Sequence, residues 1–128
     1  MGRVVLDSSV LIALLDSTDS HHGAVTEKFQ GSEDQFEISV LTFTEAMTAP
    51  MMANPRSGER IRQAISTAIA SVHSVTEEIA VKGAHVRVAT GLKTVDALIS
   101  ATATVGGAKL WTCDQKLAKA HKGAVLIA

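Results

Sequence analysis

Residues 3–15 read RVVLDSSVLIALL. Val4, Val5 and Leu6 form an unbroken apolar run, where a strand with one wet face would alternate apolar and polar residues. An unbroken run suits a strand covered on both faces. Asp7-Ser8-Ser9 ends it with side chains that cap helices, so Ser8–Leu15 is expected to be helical, with Asp7 or Ser8 as the cap. A buried strand that turns at once into a helix is the first half of a βα unit. The same pattern recurs downstream. The sequence predicts strands at Phe36–Val40, Val72–Val75, Lys109–Thr112 and Ala124–Ile127. Between them it predicts helices at His21–Gln30, Thr42–Ala53, Ser57–Ser71, Thr76–Val88, Val95–Val105 and Gln115–His121. Ile61, Ile65, Ala68, Ile69 and Val72 fall on one helical face, and Val95, Leu98, Ile99, Thr102 and Ala103 on another. Gly31, Asn54-Pro55, Gly91 and Gly106-Gly107 punctuate the chain. Strands alternating with helices predict an α/β class chain with a short parallel sheet between two helical layers, a single three-layer α/β/α domain over residues 1–128.

Composition agrees and excludes several functions. Of the 128 residues, 46% are hydrophobic and 20% charged, which argues against long disorder. No apolar run approaches the roughly 18 residues of a membrane span. Asp7 interrupts the apolar N-terminus, against a signal peptide. A single cysteine, Cys113, allows no intrachain disulfide, and a cytoplasmic protein is expected. Twelve basic residues against thirteen acids give a net charge of −1, unlike a simple basic nucleic-acid binder. The aromatics, Phe29, Phe36, Phe43 and Trp111, are too few for a base-stacking platform.

Four acids gain meaning from this topology. Asp7 follows strand one. Glu45 and Asp96 fall in the first turns of the helices at Thr42 and Val95. Asp114 follows strand four. In a parallel sheet the strand C-termini and the N-termini of the covering helices share one edge, where open α/β sheets bind ligands. Each acid also has a local role available: Asp7 and Asp114 as N-caps, Glu45 in a capping box with Thr42, and Asp96 at a helix dipole behind a Thr94 cap. Burial beside an apolar strand would be costly for an unpaired Asp7 or Asp114. Four carboxylates at one cleft repel one another, and a divalent cation relieves that repulsion. Oxygen-only donors point to Mg²⁺ or Mn²⁺.

The chain resembles the PIN-domain family, and within it the VapC-type ribonuclease toxins of bacterial toxin–antitoxin pairs. VVLDSSVLIALLD, with Asp7 and Ser9, resembles the opening motif; LTFTEA, with Glu45, the second; LKTVDALISATA, with Asp96, the third; and LWTCDQKLAKA, with Thr112 and Asp114, the fourth. The resemblance implies a metal-dependent endoribonuclease restrained by a cognate VapB-type antitoxin, and a homodimer. Asp7, Asp96 and Asp114 would hold the metal. Glu45 would hold it too or orient the attacking water. Ser9 and Thr112 would donate to the carboxylates and fix their orientation. The antitoxin is expected to place a basic or aromatic segment at the site, with an arginine reaching toward Asp7 and Asp96. One departure stands out. Many relatives carry a further acid two residues after the fourth-motif aspartate, and this chain has Lys116, which weakens the case for a full second metal site.

With the four acids set aside, twelve bases face nine acids, an excess of three. Lys109, Lys116, Lys119 and Lys122 cluster near the C-terminus, and Lys93 precedes the third motif, so Lys93, Lys116 and Lys119 are candidate RNA contacts. Met47, Met51 and Met52 follow Glu45 at helical spacing, either as core or as an adaptable surface for a partner helix. His21-His22 reads as a solvated pair and Cys113 as a small buried residue. A phosphoacceptor receiver domain is disfavoured because Asp7 is followed by serines rather than a second acid. A haloacid-dehalogenase-type phosphatase is disfavoured because Ser9 stands where its second aspartate belongs. A PIN domain that binds RNA or antitoxin without cutting is the remaining alternative.

Overall fold

The computed structural model describes residues 2–128. The elements are β1 (Arg3–Leu6), α1 (Ser8–Leu15), α2 (His22–Gln30), β2 (Gln35–Ser39), α3 (Val40–Ala53), α4 (Pro55–Ala68), β3 (Ser71–His73), α5 (Glu77–Thr90), α6 (Thr94–Gly106), β4 (Lys109–Thr112), α7 (Gln115–Ala120) and β5 (Val125–Leu126). The five strands form one parallel sheet in the order β3-β2-β1-β4-β5, flanked by helices as the α/β/α reading expects. Val5 of β1 lies beside Glu37 of β2 and Leu110 of β4. The chain first adds strands on one side of β1, then returns to the other side with β4. The C-terminal ends of β1 and β4 therefore flank the point where strand order reverses, which is where such sheets open a crevice.

Alternation along β1 feeds two cores. Val4 and Leu6 pack with Val10, Leu11, Phe36, Ile38, Ile65 and Trp111 on one face. Phe36 stacks on Phe29 at 4.4 Å and meets the Trp111 edge at 5.1 Å. Val5 and Leu110 pack on the other face with Leu92, Ala97, Ile99, Ala103 and Leu117. Helix α6 lies close to both the sheet and α5. A Cβ at Gly83 of α5 would stand 2.7 Å from a Leu98 methyl, so the glycine sets that approach.

Several boundaries differ from the sequence reading, each for a local reason. Val40 begins α3 rather than ending β2, because the Ser39 hydroxyl accepts the Leu41 N–H at 3.1 Å and caps the helix two residues early. Thr42 is consequently buried inside α3, no Thr42–Glu45 capping box forms, and Glu45 sits in the second turn. Helix α4 starts at Pro55, at the first helical position, where a missing N–H costs nothing. It ends at Ala68, and Val72 lies on β3 at 45% exposure instead of continuing the apolar face. Lys93, not Thr94, holds the cap position of α6, without a side-chain cap bond. Val95 in the first turn of α6 is exposed, whereas Ala97 and Ile99 to Ala103 are buried. His121 terminates α7, and β5 shortens to two residues. Strand β2 is not wholly apolar: Glu37 is buried within it. Among the described residues no helix is long and apolar enough to cross a membrane.

Candidate active site

Asp7 is both the end of β1 and the N-cap of α1. Its backbone N–H still donates to the Trp111 carbonyl at 3.1 Å, while its side chain turns to the helix and accepts the Val10 N–H at 2.9 Å. The Ser9 hydroxyl donates to the same oxygen at 2.6 Å, and the Thr112 hydroxyl donates to the other. Both hydroxyls are themselves fixed from across the switch point. Ser9 accepts the Cys113 N–H at 3.0 Å, and Thr112 accepts the Asp114 N–H at 2.9 Å. The turn after β4 is thus tied to the turn after β1 through two hydroxyls that converge on one carboxylate.

The other acids gather around this pair of turns. Asp114 caps α7, accepting the Lys116 N–H at 2.8 Å with one oxygen. It is exposed, contrary to the burial expected beside β4, because the strand ends at Thr112 and the turn rises out of the sheet. Asp96 is half-buried in the first turn of α6. Glu45 is exposed on α3, and one of its oxygens accepts the Ser8 hydroxyl, which also lies 3.2 Å from the Thr42 hydroxyl. Sequence reasoning gave Ser8 only a capping role. The adjacent serines divide the work: Ser9 faces β4 and Ser8 faces α3. The Asp-Ser-Ser run held that signal, because neighbouring positions on a first helical turn point about 100° apart.

Charge links these acids. Burial pushes the Asp7 carboxyl above its ordinary range, against its three hydrogen bonds, and the Asp114 charge adds to the rise. Asp96 is also raised, first by burial and then by Asp114, Asp7 and Glu45 together, while Lys116 opposes the rise. Asp96 therefore feels the other three acids, and Lys116 acts on it as a counter-charge. Lys93 and Lys119 are exposed on α6 and α7. Cys113 has its thiol pushed up by burial and then by Asp7, which suits an inert residue. The His22 Nδ1 lies 2.7 Å from the Ala13 carbonyl oxygen, which holds the ring against α1.

The donor set fits a hard divalent cation. Its acids supply only oxygen, and two of them resist ionising because of burial and like charge. Among the described residues, no three of these side chains converge as a ready-made coordination group. One oxygen each of Glu45 and Asp114, and both of Asp7, are turned toward protein donors. Each carboxylate nonetheless keeps lone pairs beyond those bonds.

No curated protein sequence matches this chain. A toxin–antitoxin complex from Klebsiella pneumoniae is similar in structure, with a TM-score of 0.83 and 26% identity over 98% of each chain. FitAcB from Neisseria gonorrhoeae follows at TM-score 0.78 and 18% identity over 96% of each chain. VapC20 of Mycobacterium tuberculosis, described as a sarcin-ricin-loop-cleaving toxin, has a TM-score of 0.77 and 20% identity, covering 91% of this chain and 94% of its own. The PIN domain family model matches residues 4–123, so the chain belongs to the PIN-domain family and has the fold of its toxins.

Proposed function

We propose that this protein is a Mg²⁺- or Mn²⁺-dependent endoribonuclease of the VapC toxin type. The observation that carries the reading is the Asp7 carboxylate, fixed by Ser9, Val10 and Thr112 where β1 and β4 end, with burial and neighbouring acids raising it and Asp96. Asp7, Asp96 and Asp114 would hold the cation, with Glu45 as a further ligand or as the group that orients water. When bound, the ion lowers the pKa of water and steadies charge on the scissile phosphate. Ser9 and Thr112 keep the Asp7 carboxylate from swinging. Glu45, exposed and held at one oxygen by Ser8, keeps its other oxygen free for the cation or the water. Lys93, Lys116 and Lys119 lie on the helices that carry Asp96 and Asp114, where they would meet RNA phosphates.

The same reading includes restraint by a VapB-type antitoxin in the cytoplasm and a homodimer. An apolar groove of about 450 Å³, lined by Ile12, Leu15, Ala46, Pro50 and Ile61, opens beside Glu45. Met51 and Met52 are 58% and 82% exposed on the same helix, offering soft surface to a partner. An arginine from a segment in that groove would compete with metal for Asp7 and Asp96. Val81 and Val88 on α5 leave apolar surface that a second copy would cover.

The test is digestion of total cellular RNA by purified protein with Mg²⁺ titrated, beside Asp96→Asn. Discrete cuts that require metal and disappear in the variant are expected. No cutting by folded wild-type protein at any Mg²⁺ or Mn²⁺ concentration would leave a PIN domain that binds without cleaving.

A further inference from the structure

A second cavity, of about 550 Å³, lies between α5, α6 and α7, away from the four acids. Lys82 and His85 of α5, Ser100 and Thr104 of α6, and His121 and Lys122 after α7 line it, and no acid does. Thr90 adds a third hydroxyl beside a few apolar residues, and in a chain with more acids than bases a cavity with four nitrogen bases, three hydroxyls and no carboxylate is an anion site by composition. Neither Lys82 nor Lys122 is held in an ion pair among the described residues. Glu77 and Glu78 line the adjoining hollow with Lys82 and His85, and leave the cavity itself free of negative charge.

Its floor is ordered. The buried Ser100 hydroxyl lies 2.7 Å from Nδ1 of His121, which fixes the imidazole and leaves Nε2 as its unbonded nitrogen. Burial holds His121 below the ordinary histidine value, and a neighbouring anion favours its charged form. The cavity is also in line with the active site. Helix α6 begins beside Asp96, and Ser100 and Thr104 lie one and two turns further on the same face, about 6 and 12 Å along the axis. Helix α7 is capped by Asp114 at one end and terminated by His121 at the other. The two helices that carry acids to the cleft therefore also lead from it to the cavity, past Lys116 and Lys119.

From this arrangement we infer that the cavity formed by Lys82, His85, Ser100, Thr104, His121 and Lys122 binds a backbone phosphate of the RNA, away from the scissile bond. The inference rests on the nuclease reading, and it assigns the path the strand takes from the cleft. It accounts for how an acidic protein holds RNA: the cation serves the phosphate at the cleft, and this cavity serves one outside it.

The experiment measures binding of a short, labelled single-stranded RNA in EDTA, where hydrolysis is off, across a range of salt. Lys82→Ala/Lys122→Ala is compared with wild type and with Arg56→Ala/Arg62→Ala, which removes equal charge from α4. The cavity variant should bind more weakly, with a log–log salt slope shallower by about 1.4, or roughly 0.7 per lost contact on a single strand. The α4 variant should keep the wild-type slope. RNA should also shift the His85 and His121 imidazole resonances together. An unchanged slope in the cavity variant overturns the inference, and so does an equal loss in both variants, which would mean diffuse attraction. Either result leaves Mg²⁺-dependent cleavage by wild type untouched, so the nuclease reading stands or falls separately. Histidine shifts with inorganic phosphate but none with RNA would mark a free-anion site and overturn it too.

Discussion

Asp7 and Glu37 are the two buried acids among the described residues, 4% and 3% exposed, one just after β1 and the other on the neighbouring β2. Their surroundings differ in kind. Glu37 accepts two bonds from the Arg3 guanidinium, at 2.7 and 2.9 Å, and lies 2.7 Å from the His73 imidazole. Arg3 also donates to the Gly106 carbonyl at 2.7 Å, tying the strand to the end of α6. The Arg3 partnership and His73 pull the Glu37 carboxyl below its ordinary range, against burial. Asp7 has only neutral donors, with the nearest charges negative, and it is pushed up. One buried charge is complete within the fold. The other is satisfied in hydrogen bonds but not in charge, and under the proposed function an external cation would complete it.

The contrast breaks most sharply if stability and activity are separated. Asp96→Asn removes like charge from the unsatisfied cluster. RNA cleavage should fall by two to three orders of magnitude, about the several kcal/mol a catalytic ion supplies, while denaturation in EDTA shows no loss of stability. Glu37→Gln should do the reverse. It leaves the Arg3 guanidinium short of its partner and lowers unfolding free energy by about 1–3 kcal/mol, with turnover per folded molecule unchanged. If Glu37→Gln abolished cutting while the protein stayed folded, the division between the two carboxylates would be wrong.

Thr112→Val tests whether Asp7 needs its hydroxyl clamp. It removes a donor from Asp7 and an acceptor from the Asp114 N–H together. Metal-dependent cleavage should drop by roughly 10–100-fold, with a higher Mg²⁺ concentration at half-maximal rate.

The pH dependence of stability should carry both signs. The raised Asp7 and Asp96 bind protons more tightly folded than unfolded. In EDTA their contribution weakens as pH rises from the ordinary value of 3.8 through their raised folded values. Glu37 works oppositely: its stabilisation is full above its ordinary value of 4.5 and is lost as pH falls through the depressed folded value. Asp96→Asn should therefore gain on wild type as pH rises, and Mg²⁺, which displaces protons, should stabilise wild type more at higher pH. Denaturation curves across pH, with and without Mg²⁺, check both.

The smallest effect is expected from Lys116→Ala. Lys116 is exposed and screened, so the Asp96 carboxyl should move only modestly further up, and the pH midpoint of cleavage should follow it upward. A downward shift would mean that Lys116 does not face Asp96.

Much of this was legible in the chain because local chemistry fixes it. The apolar run ending in Asp-Ser-Ser specified a buried strand and a capped helix, and strand–helix alternation then required a parallel sheet with Asp7, Glu45, Asp96 and Asp114 toward one edge. Boundaries were less legible where a side-chain oxygen competes with β propensity: Ser39 drew Val40 into α3 and removed the Thr42–Glu45 box. The Ser8–Glu45 bond, the Ser100–His121 pair and the Glu37–Arg3–His73 cluster were not legible, since each joins residues from separate elements.

The sequence alone determined the order of strands and helices, and thus the edge of the sheet toward which the four carboxylates are set. Periodicity and capping act over a few residues and need no partner. Only the tertiary structure decided which acids are neutralised. That depends on which cations and donors the strand order β3-β2-β1-β4-β5 brings alongside, and it set Arg3 and His73 against Glu37 while leaving Asp7 among like charges.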